Sequence, residues 1–173
     1  TTRQGWESGV RALWDDAAYR EERYAALALT GHRAARPWQD PDALALYRHL
    51  VETGAWWDYV DAVAADRVGP ILLSHRQVVT PMTRSDAVDG HLWVRRTAIL
   101  AQLKHREATD LDLLADVLDA NLEGSLHGRE FFIRKAIGWA LRQYARTDPD
   151  AVRAFVESHE FSGLTRREAL KHL

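Results

Sequence analysis

Apolar residues recur along this chain at the three- and four-residue spacings of amphipathic helices, and no run of strict alternation marks a strand. Helices are predicted near residues 3–14, 19–33, 42–54, 56–64, 67–76, 91–105, 110–122, 129–146, 149–159 and 165–173. Their starts carry chemistry as well as pattern. Asp40-Pro41 and Asp148-Pro149 each place an N-cap carboxylate before a proline suited to the first helical turn. Thr165 followed by Glu168 reads as a capping box, and Gly54, Gly90 and Gly128 fall at breaks. Short helices joined by short turns build bundles or stacked-pair solenoids.

The segment Phe131–Arg146 separates into two opposed faces when wound at about 100° per residue. Ile133, Ile137, Ala140 and Tyr144 form a core stripe. Lys135, Trp139, Arg142 and Arg146 repeat the same spacing on the other side. A Trp among cations suits a polyanion groove, because Lys and Arg neutralise phosphates while the ring offers a flat apolar contact. The plain alternative is a solvated basic face with one exposed Trp.

Two further positions break their local pattern. In AWWDYVDAVA, Trp56 aligns with Val60, Val63 and Ala64 as core, which leaves Trp57 beside Asp61 one turn on. That pair is either a chemical site or a helix edge with a solvated acid. In LWVRRTAILAQLK, Leu92, Arg96, Ile99, Leu100 and Leu103 share one side, whereas Arg95 joins Gln102 and Arg106 on a polar side. An arginine in an apolar stripe must be paired, since stranding it costs several kcal/mol. Its partner is an unidentified acid, Asp61 or a DNA phosphate. Trp57, Arg96 and Trp139 are separated by 39 and 43 residues, close to the period of about 40–47 in HEAT-type repeats. Such a period would bring them to one concave surface.

Composition narrows the class. The chain has 173 residues, 46% apolar and 28% charged, which supports one globular domain with a substantial core. No apolar run approaches the roughly 18 residues of a membrane helix, no signal-peptide pattern opens the chain, and cysteine is absent. A cytoplasmic protein without a membrane partner is expected. Net charge is −2, yet residues 129–173 hold nine Lys/Arg against six acids, a local basic footprint. The eight His form no HExxH and no metal-ligand cluster, and no Gly-rich phosphate loop or GxSxG elbow occurs. No metal or cofactor is expected.

WWDYVD, LWVRRTAILAQLK, EFFIRKAIGWALRQYARTDPDAV and LTRREALKH resemble, in order and from about Arg11 onward, the AlkD-type DNA alkylation-repair glycosylases. The resemblance implies an all-α, HEAT-like α-solenoid of stacked antiparallel helix pairs whose concave basic face holds duplex DNA. It implies a monofunctional, cofactor-free enzyme that removes cationic N3- or N7-alkylated purines by hydrolysing the N-glycosidic bond. A monomer acting at the bacterial nucleoid is expected. Trp57, Asp61, Arg96 and Trp139 match the family's active-site motif, with Arg96 holding a phosphate or setting Asp61. Lys104 and Arg142 match backbone-associated positions, and the basic stripe adds Lys135 and Arg146. Relative to the family, residues 1–173 form a single domain that starts about one N-terminal repeat late, and Asn121–Glu130 is longer than the usual turn. The competing readings are a duplex-binding relative without catalysis, against which Asp61 argues, and a protein-interaction scaffold.

Overall fold

The computed structural model describes residues 2–173, and every regular element among them is helical. The helices are α1 (Arg3–Asp15), α2 (Arg20–Thr30), α3 (Leu44–Gly54), α4 (Trp57–Val63), α5 (Gly69–Ser74), α6 (Arg76–Asp86), α7 (Leu92–Leu100), α8 (Leu111–Asp119), α9 (Phe131–Tyr144), α10 (Pro149–Ser158) and α11 (Gly163–Ala169). Neighbours in sequence pack as pairs: α1 on α2, α3 on α4, α5 on α6, α7 on α8 and α9 on α10. The pairs stack so that α2, α4, α7, α9 and α11 touch in succession along one row, an α-solenoid. One apolar core runs through the stack from Trp6 to Ala169.

Several predicted boundaries hold for the expected reason. Asp148 accepts a hydrogen bond from the Ala151 amide at 2.9 Å and Pro149 opens α10. Asp40 caps a short 3₁₀ turn, Pro41–Ala43, which runs on into α3. Other boundaries move. A further 3₁₀ turn, Arg33–Trp38, replaces the end of the predicted second helix. Ser162, not Thr165, caps α11, accepting from the Thr165 amide at 3.2 Å. Thr165 instead donates to the Arg134 carbonyl at 3.2 Å, tying α11 to α9.

The helix α6 was not predicted. It buries only Val79 and Thr83, with Ala87 just past its end, so a hydroxyl sits in the middle of a narrow stripe, and Pro81 lies inside the helix. Conversely, the predicted helices 56–64 and 67–76 are one continuous helix in which α4 and α5 are joined by a π-helical stretch, Ala64–Val68. Gly69 N–H reaches the Ala64 carbonyl five residues back. Pro70 lacks an N–H and its ring would press on the carbonyl four residues earlier, so the wide turn accommodates it.

At the centre, α7 touches α3, α4, α6, α8 and α9, and every residue from Val94 to Leu100 is buried. The polar side expected for Arg95 and Gln102 therefore does not exist. Arg95 is buried and donates to the Val88 carbonyl at 2.9 Å, the Asp89 carbonyl and the Ala120 carbonyl at 3.3 Å. Each of these acceptors lies on a neighbouring turn, which satisfies the charge without a carboxylate.

Candidate active site

Asp61 and Arg96 meet between α4 and α7. The α4 turn packs Val60 and Val63 into the core, so Asp61 projects toward the neighbouring helix of the row. Arg96 Nε donates to Asp61 Oδ1 at 2.7 Å and Nη2 to Oδ2 at 2.8 Å, a bidentate pair. The third donor, Nη1, goes to the Phe132 carbonyl on α9. Arg96 lies with its guanidinium 5.9 Å from the Phe132 ring centre. Its side chain is 4% exposed and that of Asp61 11%. Of the partners open to Arg96, the structure supplies Asp61. A buried guanidinium held this way is not presented to a phosphate. Burial pushes the Asp61 carboxyl above its ordinary value, and the Arg96 pair opposes that push without cancelling it.

Asp61 and Arg96 line a depression of about 350 Å³. Trp57 from α4 and Trp139 from α9 also line it, together with Lys135 and Arg142 from α9, so these six residues come from three helices. Six of the eight sequence-derived site residues are thus brought together. The other two are not: Lys104 follows α7, is exposed and pairs with Asp66, while Arg146 is exposed beyond the end of α9. Neither lines the depression.

The structure adds three residues to the lining: Phe131, Phe132 and Glu168. Adjacent phenylalanines at the start of an otherwise legible helix were the available signal for the first two. Trp56, expected in the core, is 42% exposed instead. It precedes α4 in an extended conformation, because Ala55 ends α3 in the left-handed region at φ 43° and turns the chain there. Outside the helix, Trp56 leaves the α4 stripe and sets its ring edge-on to Phe132 with centroids 5.9 Å apart.

Glu168 was assigned to a cap but serves the site. Its carboxylate accepts from Lys135 Nζ at 2.7 Å and from Arg142 Nη1 at 2.5 Å. The Lys135 hydrogen bond, seconded by the charge of Arg142, holds its carboxyl below the ordinary value against the effect of burial. Gly138 makes the reach possible. A Cβ there would stand 2.5 Å from Glu168 Cβ and 2.9 Å from the Thr165 carbonyl, so only glycine lets α11 approach α9 this closely.

The depression is thus lined by two enclosed carboxylates, Asp61 and Glu168, by two indoles and by the cations Lys135 and Arg142. Such a site suits a positively charged or positively polarised group beside Asp61 and a phosphate beside Lys135 and Arg142. Among the described residues no group of three or more His, Asp or Glu is placed to hold a metal ion, and no helix is long and apolar enough to cross a membrane.

Comparison with known proteins places the chain in a family. A search of curated proteins found no match. A solved structure, described as a predicted DNA alkylation repair enzyme from Enterococcus faecalis, superposes with a TM-score of 0.86 at 28% identity. The match covers 100% of this chain and 78% of that one. The model of the family described as DNA alkylation repair enzyme matches residues 1–173. With its sequence matched end to end and its all-helical stack shared with a solved relative, the chain belongs to the DNA alkylation repair enzyme family.

Proposed function

We propose that this protein is a DNA glycosylase that hydrolyses the N-glycosidic bond of cationic N3- or N7-alkylated purines in duplex DNA. The observation that carries the reading is Asp61, held at both oxygens by a buried Arg96, in a depression shared with Trp57 and Trp139. A cationic alkylpurine is already a good leaving group, so the reaction needs no strong general acid. As the C1′–N bond breaks, its electron pair neutralises the purine and positive charge develops on the deoxyribose. Fixed negative charge beside that sugar contributes about 3 kcal/mol or more. Asp61 supplies it and orients the water that adds to C1′, whose proton passes to the carboxylate or to solvent.

The two indoles flank the sugar, their faces attracting positively polarised C–H groups. Arg96 fixes the carboxylate in place, and Lys135 and Arg142 take the DNA backbone. Lys104 and Arg146 reach the duplex outside the depression. No lysine attacks the sugar, so no covalent complex is trapped by borohydride.

Release of 7-methylguanine from methylated duplex tests the reading. Asp61→Asn keeps the shape of the side chain and removes its charge, and the rate should fall about a hundredfold or more. An unchanged rate removes Asp61 from the chemistry.

A further inference from the structure

Glu168 lies between the two cations to which the proposed chemistry assigns the DNA backbone. Lys135 Nζ and Arg142 Nη1 each donate to a different oxygen of its carboxylate, at 2.7 and 2.5 Å. The Glu168 side chain is 14% exposed, against 40% for Lys135 and 22% for Arg142. The carboxylate is thus the most enclosed of the three, and the cations are its open side. Two charge-assisted hydrogen bonds from two separate cations are also what a phosphate group would receive there.

We infer that Glu168 is an internal counter-anion for DNA: it holds Lys135 and Arg142 ready, and they exchange part of that contact for a phosphate when duplex enters. The inference rests on the reading of this depression as facing DNA. Arg96 is consumed by Asp61, so Lys135 and Arg142 are the depression's remaining cations, and Glu168 cancels one of their two charges. Affinity for undamaged duplex is set lower than the basic stripe alone would give, because each phosphate neutralised adds its own counterion release. A repair enzyme surrounded by undamaged DNA benefits from weak non-specific binding.

The geometry favours movement of the cations over withdrawal of the acid. Glu168 is carried by α11, which Gly138 allows to lie directly against α9 and which Thr165 ties to the Arg134 carbonyl. Lys135, on a flexible four-carbon stem, is the freer partner. The carboxyl is held below its ordinary value, so it remains an anion at neutral pH. Glu168 is accordingly a positioning residue that acts through Lys135 and Arg142.

The test is binding of an unmethylated duplex across a salt series by the wild-type protein and by Glu168→Gln. At about 50 mM salt the variant should bind about tenfold tighter, and its log K against log salt should steepen by about one. With Lys135→Ala and Arg142→Ala already in place, Glu168→Gln should change neither quantity. In the wild-type protein the carbon-13 resonance of the Glu168 carboxyl should move when the duplex is added, a readout that does not depend on the variant folding.

Weaker binding by Glu168→Gln would make Glu168 a fixed clamp and overturn the exchange. An unchanged slope, a gain that survives loss of both cations, or a stationary carboxyl resonance would overturn it as well. Excision of 7-methylguanine with an unchanged slope sinks this inference alone. Binding that follows the expected pattern without excision sinks the glycosylase reading alone. No duplex binding by the wild type sinks both.

Discussion

Arg96 grips Asp61 through two near-parallel hydrogen bonds of 2.7 and 2.8 Å, and its side chain is almost wholly removed from water. Removing one member strands the other in a poorly solvated place, which costs about 3–5 kcal/mol. Arg96→Met should therefore destabilise the protein by roughly that amount in urea denaturation. Adding Asp61→Asn should restore part of the loss, because the second substitution removes the stranded charge. Strict additivity of the two would mean that the pair is not coupled in solution.

The same pair should set an acid limit on the proposed activity. Burial raises the Asp61 carboxyl and Arg96 pulls it back, so the proton is taken up at a higher pH than by an exposed aspartate. Single-turnover release of 7-methylguanine should decline on the acid side with that titration. Arg96→Lys replaces a two-pronged partner by a point charge, so the limb should move to higher pH. A limb that stays where it was would assign it to another group.

Gly138 is a second point of attack. Valine there has no room against Glu168 and the Thr165 carbonyl, and relief requires α11 to shift. Gly138→Val should lower stability by about 1–3 kcal/mol. It should also tighten binding of undamaged duplex, since a shifted α11 carries Glu168 away from Lys135 and Arg142. Thermal unfolding and a binding titration, read together, separate this from a purely local clash.

His105 gives the fold its own pH dependence. It is buried, its Nε2 donates to the Gly69 carbonyl at 2.9 Å, and its Nδ1 has no partner among the described residues. Burial is the main cause lowering its folded value, so the unfolded chain takes up the proton first. The stability it contributes is complete above about pH 6.5, the ordinary value of unfolded histidine, and is lost as pH falls toward the lower folded one. Urea midpoints at pH 7.5 and 5.5 should differ, and His105→Gln should narrow the gap.

What the sequence disclosed followed from how local each signal is. The stripe Ile133, Ile137 and Ala140 has one solvent-facing and one core-facing side, so period alone separated Lys135, Trp139 and Arg142 from it. Arg96 was conspicuous because a charge in an apolar run needs an explanation nearby. The helix α7 hid Arg95 for the opposite reason: surrounded on every side, it has no polar face, and its arginine is satisfied by carbonyls that carry no pattern. The helix α6 was lost to Pro81 and to Thr83 in its buried stripe. Glu168 meets residues 26 and 33 positions away, a partnership created only when α11 folds back on α9. A capping motif offered a nearer and wrong account of it.

The widened turn at Ala64–Val68 divides one rod into two mechanically different lengths. Ahead of it, the stretch carrying Trp57 and Asp61 is a regular α-helix that the core grips through Val60 and Val63. Behind it, Gly69 is pressed against the Ala101 carbonyl and Pro70 forbids the ordinary ladder. Whatever distortion the crowded end demands is taken up in five residues, like slack in a coupling, and the end that carries Trp57 and Asp61 keeps its alignment.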